Sequence, residues 1–443
     1  MMNAALPLEP AAYFDVVVIG GGPAGTAAAL TLLKQPALSI LVLERGDYQQ
    51  EKVAEAISAG MCDLLQYLGV WEPLCQQQPL SLWGQQSAWG HPWLDDDAPH
   101  FGQFGHSWHI NRRAFDLLMA EQVKASGGQV STRSQLRQAH RSVNGWQLQV
   151  TDKDNRDSTI ACRYLIDAAG RTSPWSLLAG ANRVRYDNLL SLSNWLPKHP
   201  DADDTARVES NEWGWWSAVP QSDGRTVVSL MSDMELVRKH RLASPQGWFA
   251  LLAQSRHIAA QVERPPILPT PRAKPAFSAL LRPAMDAPIV AAGDAAAAHD
   301  PVAESGLSHA LCTGVQAARA VVESLGGSNK FLWAYHDSLA REFSHYLRSH
   351  GQLYQAEQRW AGADFWRFRT TQPSLSPGTI VSSAKSPTKA SIFVPGMVAR
   401  RLLELAKVPK PAARIVAGLR EEMPDLPVER ILLAMEELLL VGR

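Results

Sequence analysis

The chain has 443 residues, which is enough for two or three domains with substantial cores. Its 43 lysines and arginines balance 43 aspartates and glutamates, and no long basic tract suggests a nucleic-acid partner. Its four cysteines form no C-x-x-C pair, so we expect reduced thiols of a cytoplasmic protein, with no disulfide framework and no metal site. The uncharged run 16–33 contains consecutive glycines and a proline, which argues against a membrane span, and no Lys or Arg precedes it as in a signal peptide.

Residues 16–45 have the pattern of a strand, a glycine-rich turn, a helix and a second strand. The run 16–19 is β-branched and bounded by glycine, as in a buried strand of a parallel sheet. Three glycines then stand at G-x-G-x-x-G spacing, which permits a tight turn, close approach of a pyrophosphate and close packing of helix on strand. An acidic residue follows nineteen residues after the last glycine, at the distance where a carboxylate meets a ribose hydroxyl. We therefore predict a dinucleotide site that includes Gly20, Gly22, Ala24, Gly25, Glu44 and Arg45.

The next part of the chain, up to residue 171, alternates between helices and short strands. Apolar residues recur near every 3.6 positions over 53–69, which predicts a helix that stops at Gly69. Residues 80–110 are rich in Gly, Trp and His, and we interpret them as short strands with loops. Asn111 has the position of an N-cap for a helix that ends at Gly127. Strands are predicted around 145–150 and 164–166.

From residue 185 onwards apolar and polar positions alternate, and prolines cluster near 265–271, which predicts a largely β second domain over 185–275. The buried-strand pattern returns at 289–296, and a helix is predicted from about Gly306 to Leu325. Residues 331–369 are predicted to be helical, 370–390 to form an exposed linker rich in Ser, Thr and Pro, and the remainder to form amphipathic helices. The buried stripe of these last helices is expected to contain Leu402, Leu403, Leu405, Ile431, Leu432 and Leu438.

Three separated motifs occur in an order that is typical of one large superfamily. They are the glycine-rich segment ending at Glu44, then Asp167-Ala168-Ala169-Gly170-Arg171, and then Gly293-Asp294-Ala295-Ala296 with Asp300-Pro301 and Ser305-Gly306. On these motifs the chain resembles the FAD-dependent monooxygenases and halogenases that share the p-hydroxybenzoate hydroxylase fold. The likeness covers about residues 16–325.

The resemblance implies a fold class and a domain organisation. The fold is α/β, with a Rossmann-like FAD-binding domain, a β-rich substrate domain of the p-hydroxybenzoate hydroxylase type and a helical C-terminal part. The FAD-binding domain would comprise 1–80, 101–180 and 276–330, the substrate domain 81–100 and 181–275, and the C-terminal region 331–443.

The resemblance also implies FAD, bound non-covalently, as the cofactor. Asp294, after Gly293, would bind the ribityl chain, and Arg112 would lie beside the flavin. The segment from Pro301 to Leu307, which includes Ser305 and Gly306, would lie along the isoalloxazine ring. A helix that starts near Gly306 would direct its amides at an anionic reduced flavin. No second G-x-G-x-x-G is present, so NAD(P)H would bind only transiently, or a separate reductase would deliver the electrons.

Halogenation is the weaker expectation within this superfamily. Tryptophan halogenases carry G-W-x-W-x-I-P and a lysine that relays hypochlorous acid. In this chain the segment 214–220 has Ser217 at the position of the second Trp. Moreover, no lysine occurs between Lys52 and Lys124, the part of the chain where the relay lysine should fall.

A closer likeness is to the flavoproteins that mature tryptophylquinone cofactors in amine and amino-acid oxidases and dehydrogenases. It rests on Gly105-His106-x-Trp108-His109-x-x-Arg112-x-x-Phe115-Asp116 and on Glu357-Gln358-Arg359-Trp360 with Phe365-Trp366. In that group the flavoprotein oxygenates a tryptophan of a precursor protein. The resemblance therefore implies an FAD-dependent monooxygenase that hydroxylates an indole ring through a flavin hydroperoxide. Its substrate would be a tryptophan side chain of a partner precursor protein during tryptophylquinone biogenesis.

A hydroxylated ring must lose a proton, so a general base is required. The candidates are His91, His106, His109, His299 and Glu304, and we select His109, His299 and Glu304 because they lie nearest the flavin motifs. The alternative for each histidine is a hydrogen-bonded structural role, and for Glu304 a hydrogen bond to backbone or flavin. The tryptophans at 83, 89, 93, 108, 215 and 216 either line an aromatic pocket or fill a core.

Three other functions stay open. A hydroxylase of a free aromatic metabolite would have a deep closed pocket with a mobile lid. A dehydrogenase similar to the geranylgeranyl reductases would have a long apolar tunnel. A non-catalytic binding module would keep FAD as a structural element that no donor reduces.

Overall fold

A computed structural model describes residues 12–53, 55–82, 85–96, 107–303, 305–371, 375, 378–383, 391 and 393–441. The strands are β1 (Ala12–Ile19), β2 (Ile40–Leu43), β3 (Glu55–Ser58), β4 (Leu80–Leu82), β5 (Gln85–Ala88), β6 (Ser107–Ile110), β7 (Gln129–Ser131), β8 (Gln135–Ser142), β9 (Gly145–Thr151), β10 (Asp157–Asp167), β11 (Asn182–Arg185), β12 (Leu189–Pro197), β13 (Ala206–Asn211), β14 (Gly214–Pro220), β15 (Arg225–Asp233), β16 (Arg272–Pro275), β17 (Ala279–Arg282), β18 (Ile289–Ala291), β19 (Ala297–Ala298), β20 (Ile380–Ser383), β21 (Lys410–Pro411) and β22 (Leu439–Val441).

The helices are α1 (Pro23–Leu32), α2 (Cys62–Tyr67), α3 (Trp71–Gln76), α4 (Arg112–Ala125), α5 (Trp175–Leu178), α6 (Met234–Lys239), α7 (Pro245–Leu252), α8 (Gly306–Leu325), α9 (Lys330–Gln355), α10 (Asp364–Thr370), α11 (Gly396–Leu405), α12 (Ala412–Glu422) and α13 (Val428–Leu438). Four 3₁₀ turns lie at Ala59–Met61, Ala259–Gln261, Gly293–Ala295 and Pro301–Ala303.

The main sheet has seven strands in the order β7-β2-β1-β10-β9-β8, with β18 also paired to β10. The strands β7, β2, β1, β10 and β18 are parallel, so their carboxyl ends meet at one edge. Val16 and Val18 of β1 belong to a core with α1 and α8, whereas Val17 and Ile19 belong to a second core on the opposite face. Burial on both faces explains why β1 is a continuous apolar run, as predicted.

A second sheet has six strands in the order β16-β12-β15-β14-β13-β5. Its side chains alternate between two faces, as the period-2 pattern predicts. One face packs Leu192, Trp216 and Leu230 against Trp248 and Phe249 of α7. The other face bears Ser191, Ser217, Ser229, Met231 and Trp215, which line a cavity. The mixed α/β architecture is thus the predicted one, while the division of the chain into domains stays a prediction.

Two predicted elements were wrong in part. Residues 53–69 were expected to be one helix, but β3 occupies Glu55–Ser58 and only Cys62–Tyr67 is α-helical. Pairing of β3 with β6 buries Ile57 completely, so a tertiary contact overrides the local helical period. The expected linker 370–390 contains β20, which pairs with β21 and β22 and buries Val381. Residues 372–374, 376–377 and 384–390 of that segment lie outside the described residues.

The C-terminal helices match the prediction more closely. Leu402, Ile431 and Leu438 are buried, while Leu403, Leu405 and Leu432 are half-buried against the same core. No helix in the described part of the chain is long and apolar enough to cross a bilayer.

Candidate active site

A cavity of about 1350 Å³ lies between the carboxyl ends of the parallel strands and the serine-bearing face of the six-stranded sheet. Ligands of open α/β sheets bind at this edge. Thirteen of the sixteen predicted site residues line the cavity: Gly20, Gly22, Ala24, Glu44, Arg45, His109, Arg112, Gly293, Asp294, His299, Pro301, Gly306 and Leu307. Gly25 and Ser305 do not line it, and Glu304 lies outside the described residues.

The glycines of the first motif have two different environments. A Cβ at Gly25 would lie 1.9 Å from the carbonyl oxygen of Gly20, and one at Gly20 would lie 2.4 Å from that of Ala168. A side chain at either position would collide with a backbone carbonyl group, so both positions require glycine. A Cβ at Gly22 would meet nothing within 4 Å and would enter the cavity. Gly22 therefore leaves room for a ligand at the N-terminus of α1.

Glu44 is fixed at the end of β2 by backbone amides. Its carboxylate accepts hydrogen bonds from the N–H groups of Gly21 at 2.7 Å and Gly46 at 2.6 Å. Each oxygen can accept a second hydrogen bond, so the carboxylate can still bind a ribose hydroxyl.

Arg171 links the second motif to the third. Its Nε donates to Asp294 at 3.1 Å, and its Nη2 donates to the carbonyl of His299 at 2.9 Å. The buried Nη1 has no partner among the described residues. The conformation of the Asp294 carboxylate is thus set by a residue more than 120 positions earlier, and one donor is left for a ligand.

Arg112 lies in a cluster of charges on the other side of the cavity. Asn111 caps α4 by accepting from the amide of Ala114, which positions the Arg112 side chain at the start of the helix. Arg112 donates to Glu55 and, at 3.1 Å, to Asp116, while Lys52 donates to Asp116 at 2.5 Å. Burial raises the pKa of Glu55 above its ordinary value, against the opposing effect of Arg112. Glu55 was missed because it was assigned to a helix.

His109 lies on β6 and faces the cavity. It is buried, and its Nδ1 has no partner among the described residues. Burial lowers its pKa to about 4, despite a hydrogen bond with the backbone of Pro220. The imidazole is therefore neutral at pH 7, and its buried Nδ1 has no hydrogen-bond partner among the described residues.

His299 lies deeper, beside the loop that precedes α8. Its Nδ1 is 3.1 Å from the Ser305 hydroxyl, its ring stacks on Tyr346 at 4.3 Å, and its Nε2 has no described partner. Burial, together with His309 and Arg171, holds its pKa well below the ordinary value. Ser305 thus contacts a cavity residue without lining the cavity itself.

Asp300 is the centre of a buried network that the sequence did not reveal. Its Oδ2 accepts from Tyr354 at 2.8 Å and lies 3.0 Å from Nε2 of His350. The Tyr354 hydroxyl in turn accepts from Nε1 of Trp215 at 2.9 Å. Burial disfavours the Asp300 carboxylate, but these hydrogen bonds and that of Val302 outweigh it, so its pKa is lowered. The network joins the flavin-motif loop to the opposite cavity wall.

Of the tryptophans predicted to line a pocket or fill a core, some do one or the other and one does neither. Trp215 lines the cavity, whereas Trp89 and Trp216 are buried in cores and Trp108 packs edge-on against Trp71. Trp93 is 61% exposed.

Three more of the named residues lie away from the cavity or outside the described chain. His91 stacks on Trp93, with its Nδ1 2.9 Å from the carbonyl of that residue, and does not line the cavity. Trp83 and His106 lie outside the described residues.

The later tryptophylquinone-like motif serves a structural role here. Glu357 is fully buried and accepts from the amide of Gly90 at 2.8 Å, from Ser210 at 2.5 Å and from Arg359 at 2.6 Å. The hydrogen bonds to Arg359, Ser210 and Gly90 lower the pKa of Glu357 against the raising effect of burial. The motif therefore holds the loop after β5 against β13.

The cavity also contains a lysine from outside the segment between Lys52 and Lys124, in which the relay lysine of the halogenases was expected. Lys274 of β16 lines it together with Ser191 and Ser229. The absence of lysine between Lys52 and Lys124 thus does not leave the cavity without an ammonium group.

The open space and the hydrogen-bonding groups around the cavity are suited to binding FAD. Gly22 leaves open space at a helix N-terminus, Glu44 can accept from a ribose, and Arg171 keeps a buried donor with no partner in the described part of the chain. Among the described residues, no group of three His, Cys, Asp or Glu side chains is arranged to hold a metal ion.

Comparison with known proteins gives a consistent family. The FAD binding domain family matches residues 13–342. LodB of Marinomonas mediterranea, which is named as an FAD-dependent oxidoreductase, is 31% identical over 360 residues that cover 80% of this chain and 96% of LodB.

Two solved structures show the same fold at low identity. The myxobacterial chondrochloren halogenase CndH is 20% identical, with a TM-score of 0.71 over 81% of this chain and 86% of CndH. The peptidyl tryptophan dihydroxylase QhpG, described as essential for tryptophylquinone cofactor biogenesis, is also 20% identical, with a TM-score of 0.63 over 96% of this chain and 99% of QhpG.

Proposed function

The chain belongs to the FAD binding domain family of FAD-dependent oxidoreductases, and from this premise we propose that it hydroxylates the indole ring of a tryptophan in a partner precursor protein. The observation that carries the proposal is that one cavity joins the three flavin motifs to a wall with Trp215, Met231 and the neutral His109. The likeness to QhpG, which extends over nearly the whole of both chains, supports a tryptophan in a polypeptide as the substrate.

Different residues of the chain would bind FAD, position the indole and accept the proton that the ring releases. Gly22, Glu44 and Asp294 would hold the nucleotide and ribityl parts of FAD, and Arg112 would lie beside the ring. When bound and reduced, FAD supplies the activation of O₂. Trp215 and Met231 would position the indole and exclude water. Nδ1 of His109 would accept the proton that the hydroxylated ring releases, which a neutral imidazole can do at pH 7.

The proposal is tested by mass spectrometry under ¹⁸O₂ with the FAD-loaded protein reduced by NAD(P)H or chemically. Free tryptophan and a tryptophan-bearing precursor polypeptide are offered side by side. We expect label in the polypeptide alone. Label in free tryptophan alone would indicate a hydroxylase of a small aromatic, and release of peroxide without label would contradict hydroxylation of an indole.

A matched pair of variants tests the proposed base. His109→Gln should lower the amount of hydroxylated product per FAD oxidised, because the ring proton loses its acceptor. His140→Gln removes an imidazole that hydrogen-bonds to Gln138 and does not line the cavity, and it should leave the product yield unchanged.

Halogenation is a second candidate, favoured by the ammonium of Lys274 in the cavity and by the halogenase fold of CndH. The same assay decides it when chloride or bromide is added. A product whose mass carries the halogen isotope pattern, and no ¹⁸O, would replace the hydroxylase proposal with this one.

A further inference from the structure

Lys274 and Arg45 are cavity residues whose charges no described residue balances. Lys274 forms no hydrogen bond or ion pair with any described residue. The positive charges of Lys52, Arg112, Arg272 and Arg45 act against its protonated form. Lys274 is exposed to solvent on β16, and the surrounding protein together with these cations lowers its pKa.

The carboxylates that line the same cavity already have donors. Glu55 accepts from Arg112, Asp294 from Arg171 and Asp96 from Gln86. The remaining three are bound likewise: Glu44 by backbone amides, Asp47 by Arg133 and Asp300 by Tyr354. None of these carboxylates pairs with Lys274, so this solvent-exposed ammonium can pair with an anionic group of a molecule that enters the cavity.

The strand register puts Lys274 on the same face of the six-stranded sheet as Trp215 and Met231. Lys274 lies opposite Ser191, Ser191 opposite Met231, and Met231 opposite Trp215. Residues directly opposite one another project to the same face of a sheet. Three strand spacings separate the Lys274 and Trp215 backbones by about 14 Å. An indole against Met231 and Trp215 would therefore leave a nearby anionic group within reach of the lysine.

Hydroxyl groups lie between the two ends of this row. Ser191 and Ser193 are 3.1 Å apart at their oxygens, and Ser193 and Ser229 are 2.7 Å apart. Hydroxyls rotate to donate, so this face can complement a carboxylate that Lys274 binds. The row is polar at the Lys274 end and apolar at the Trp215 end.

We propose that Lys274 binds a carboxylate that accompanies the target indole and thereby determines which substrates are accepted. The inference rests on the proposed function, because the indole defines the other end of the row. The carboxylate would come from an acidic side chain near the target tryptophan in the precursor or from the substrate's own carboxyl group, and the probes below distinguish these two sources.

Binding is measured by calorimetry on the oxidised, FAD-loaded protein, so that no turnover is needed. One pair of probes is indole-3-propionate and its amide. The second pair is a set of short blocked peptides in which Glu or Gln stands one to four residues from a tryptophan. We expect the carboxylate member of at least one pair to bind roughly tenfold or more tightly than its neutral partner, as for a charge-assisted hydrogen bond.

The variants assign that preference to one ammonium. Lys274→Met and Lys274→Gln should abolish the preference, Lys274→Arg should retain most of it, and Lys153→Met, at an exposed turn far from the cavity, should not change it. The preference should also weaken as salt is raised. Preference for indole-3-propionate alone would identify a free acid as the source, and preference in the peptides would identify an acidic side chain.

Two results would overturn the inference: equal binding of acid and amide by the wild-type protein, or a preference that persists in both neutral variants. A failure of the proposed function is separate from these. If carboxylate preference depends on Lys274 but no ¹⁸O enters any indole, the hydroxylase proposal fails and the binding role stands. If label enters the precursor while the neutral variants bind all probes like wild type, only the binding role fails.

Discussion

At the scale of single residues, Gly22 and Gly25 test what the glycine-rich turn is for. Gly22 has an extended backbone that any residue adopts, so Gly22→Ala should fold normally while its methyl group occupies ligand space. Gly25→Ala would force a methyl group against the Gly20 carbonyl, and overpacking of this kind costs about 1–3 kcal/mol. Thermal denaturation of the apo-proteins and titration with FAD measure the two effects. Normal FAD affinity in a folded Gly22→Ala protein would contradict the proposed position of the pyrophosphate.

His109 should make the stability of the protein depend on pH. Its pKa is about 4 in the folded state and near 6.5 when unfolded, so the unfolded chain binds more protons between these values. Stability from this group is fully present above about pH 6.5 and is lost as the pH falls to about 4, by up to about 3 kcal/mol. Urea unfolding of wild type and His109→Gln at several pH values measures the contribution of His109 to the pH dependence of the unfolding free energy. Identical slopes in the two proteins would show that His109 is not buried as a neutral ring.

At the scale of elements, the Asp300 network connects α9, the loop before α8 and β14. Tyr354→Phe leaves Nε1 of Trp215 without its acceptor and removes a donor from Asp300, all within a buried site. An unsatisfied buried group costs about 1–3 kcal/mol, so the free energy of unfolding should fall by that amount. Tyr13→Phe, at a ring that is 55% exposed, is the control and should cause no loss. A Tyr354→Phe protein as stable as this control would mean that water replaces the hydroxyl.

The same network has a functional consequence if the proposed hydroxylation is correct. Trp215 and Asp300 both line the cavity and both bind the Tyr354 hydroxyl, so Tyr354 holds the substrate wall beside the flavin loop. Loss of this link should raise the ratio of peroxide released to product formed, while FAD affinity stays unchanged. Measurement of both products in the ¹⁸O₂ assay checks this expectation.

At the scale of the whole molecule, the cavity spans the main sheet and the six-stranded sheet, and FAD would use its full length. All four of Gly22, Glu44, Arg112 and Leu307 line this cavity, and in the proposed binding mode the first two would contact the nucleotide and the last two the ring. FAD at a hundred times its dissociation constant should stabilise the folded protein by about 2.7 kcal/mol. FMN, which lacks the adenosine half, should give a smaller increase in the melting temperature at equal concentration. Equal shifts with FAD and FMN would contradict the assignment of Glu44 to the ribose.

Local patterns in the sequence were sufficient for several parts of this protein. The β-branched run before Gly20 specifies a strand because burial on two faces leaves a continuous apolar run, and 227–231 is also a strand buried on both faces, one in the core and one along the cavity. Asn111 and the helix from Gly306 to Leu325 were predicted from capping and periodicity, and the structure has the same cap and the same bounds. The three flavin motifs were recognisable since each needs a short, contiguous set of residues.

Only the tertiary structure decided which other side chains share the cavity. Glu55 is brought there because β3 pairs with β6, a contact that local helical periodicity cannot anticipate. Lys274 faces the same cavity as Trp215 because the register of β16 on β12 places it opposite Ser191, and a shift of one residue would turn it to the other face. Asp300 meets Tyr354 across 54 positions of chain. The sequence by itself therefore determined the cofactor family and the kinds of element, whereas long-range packing decided the substrate side of the site, because its residues are adjacent only in the folded chain.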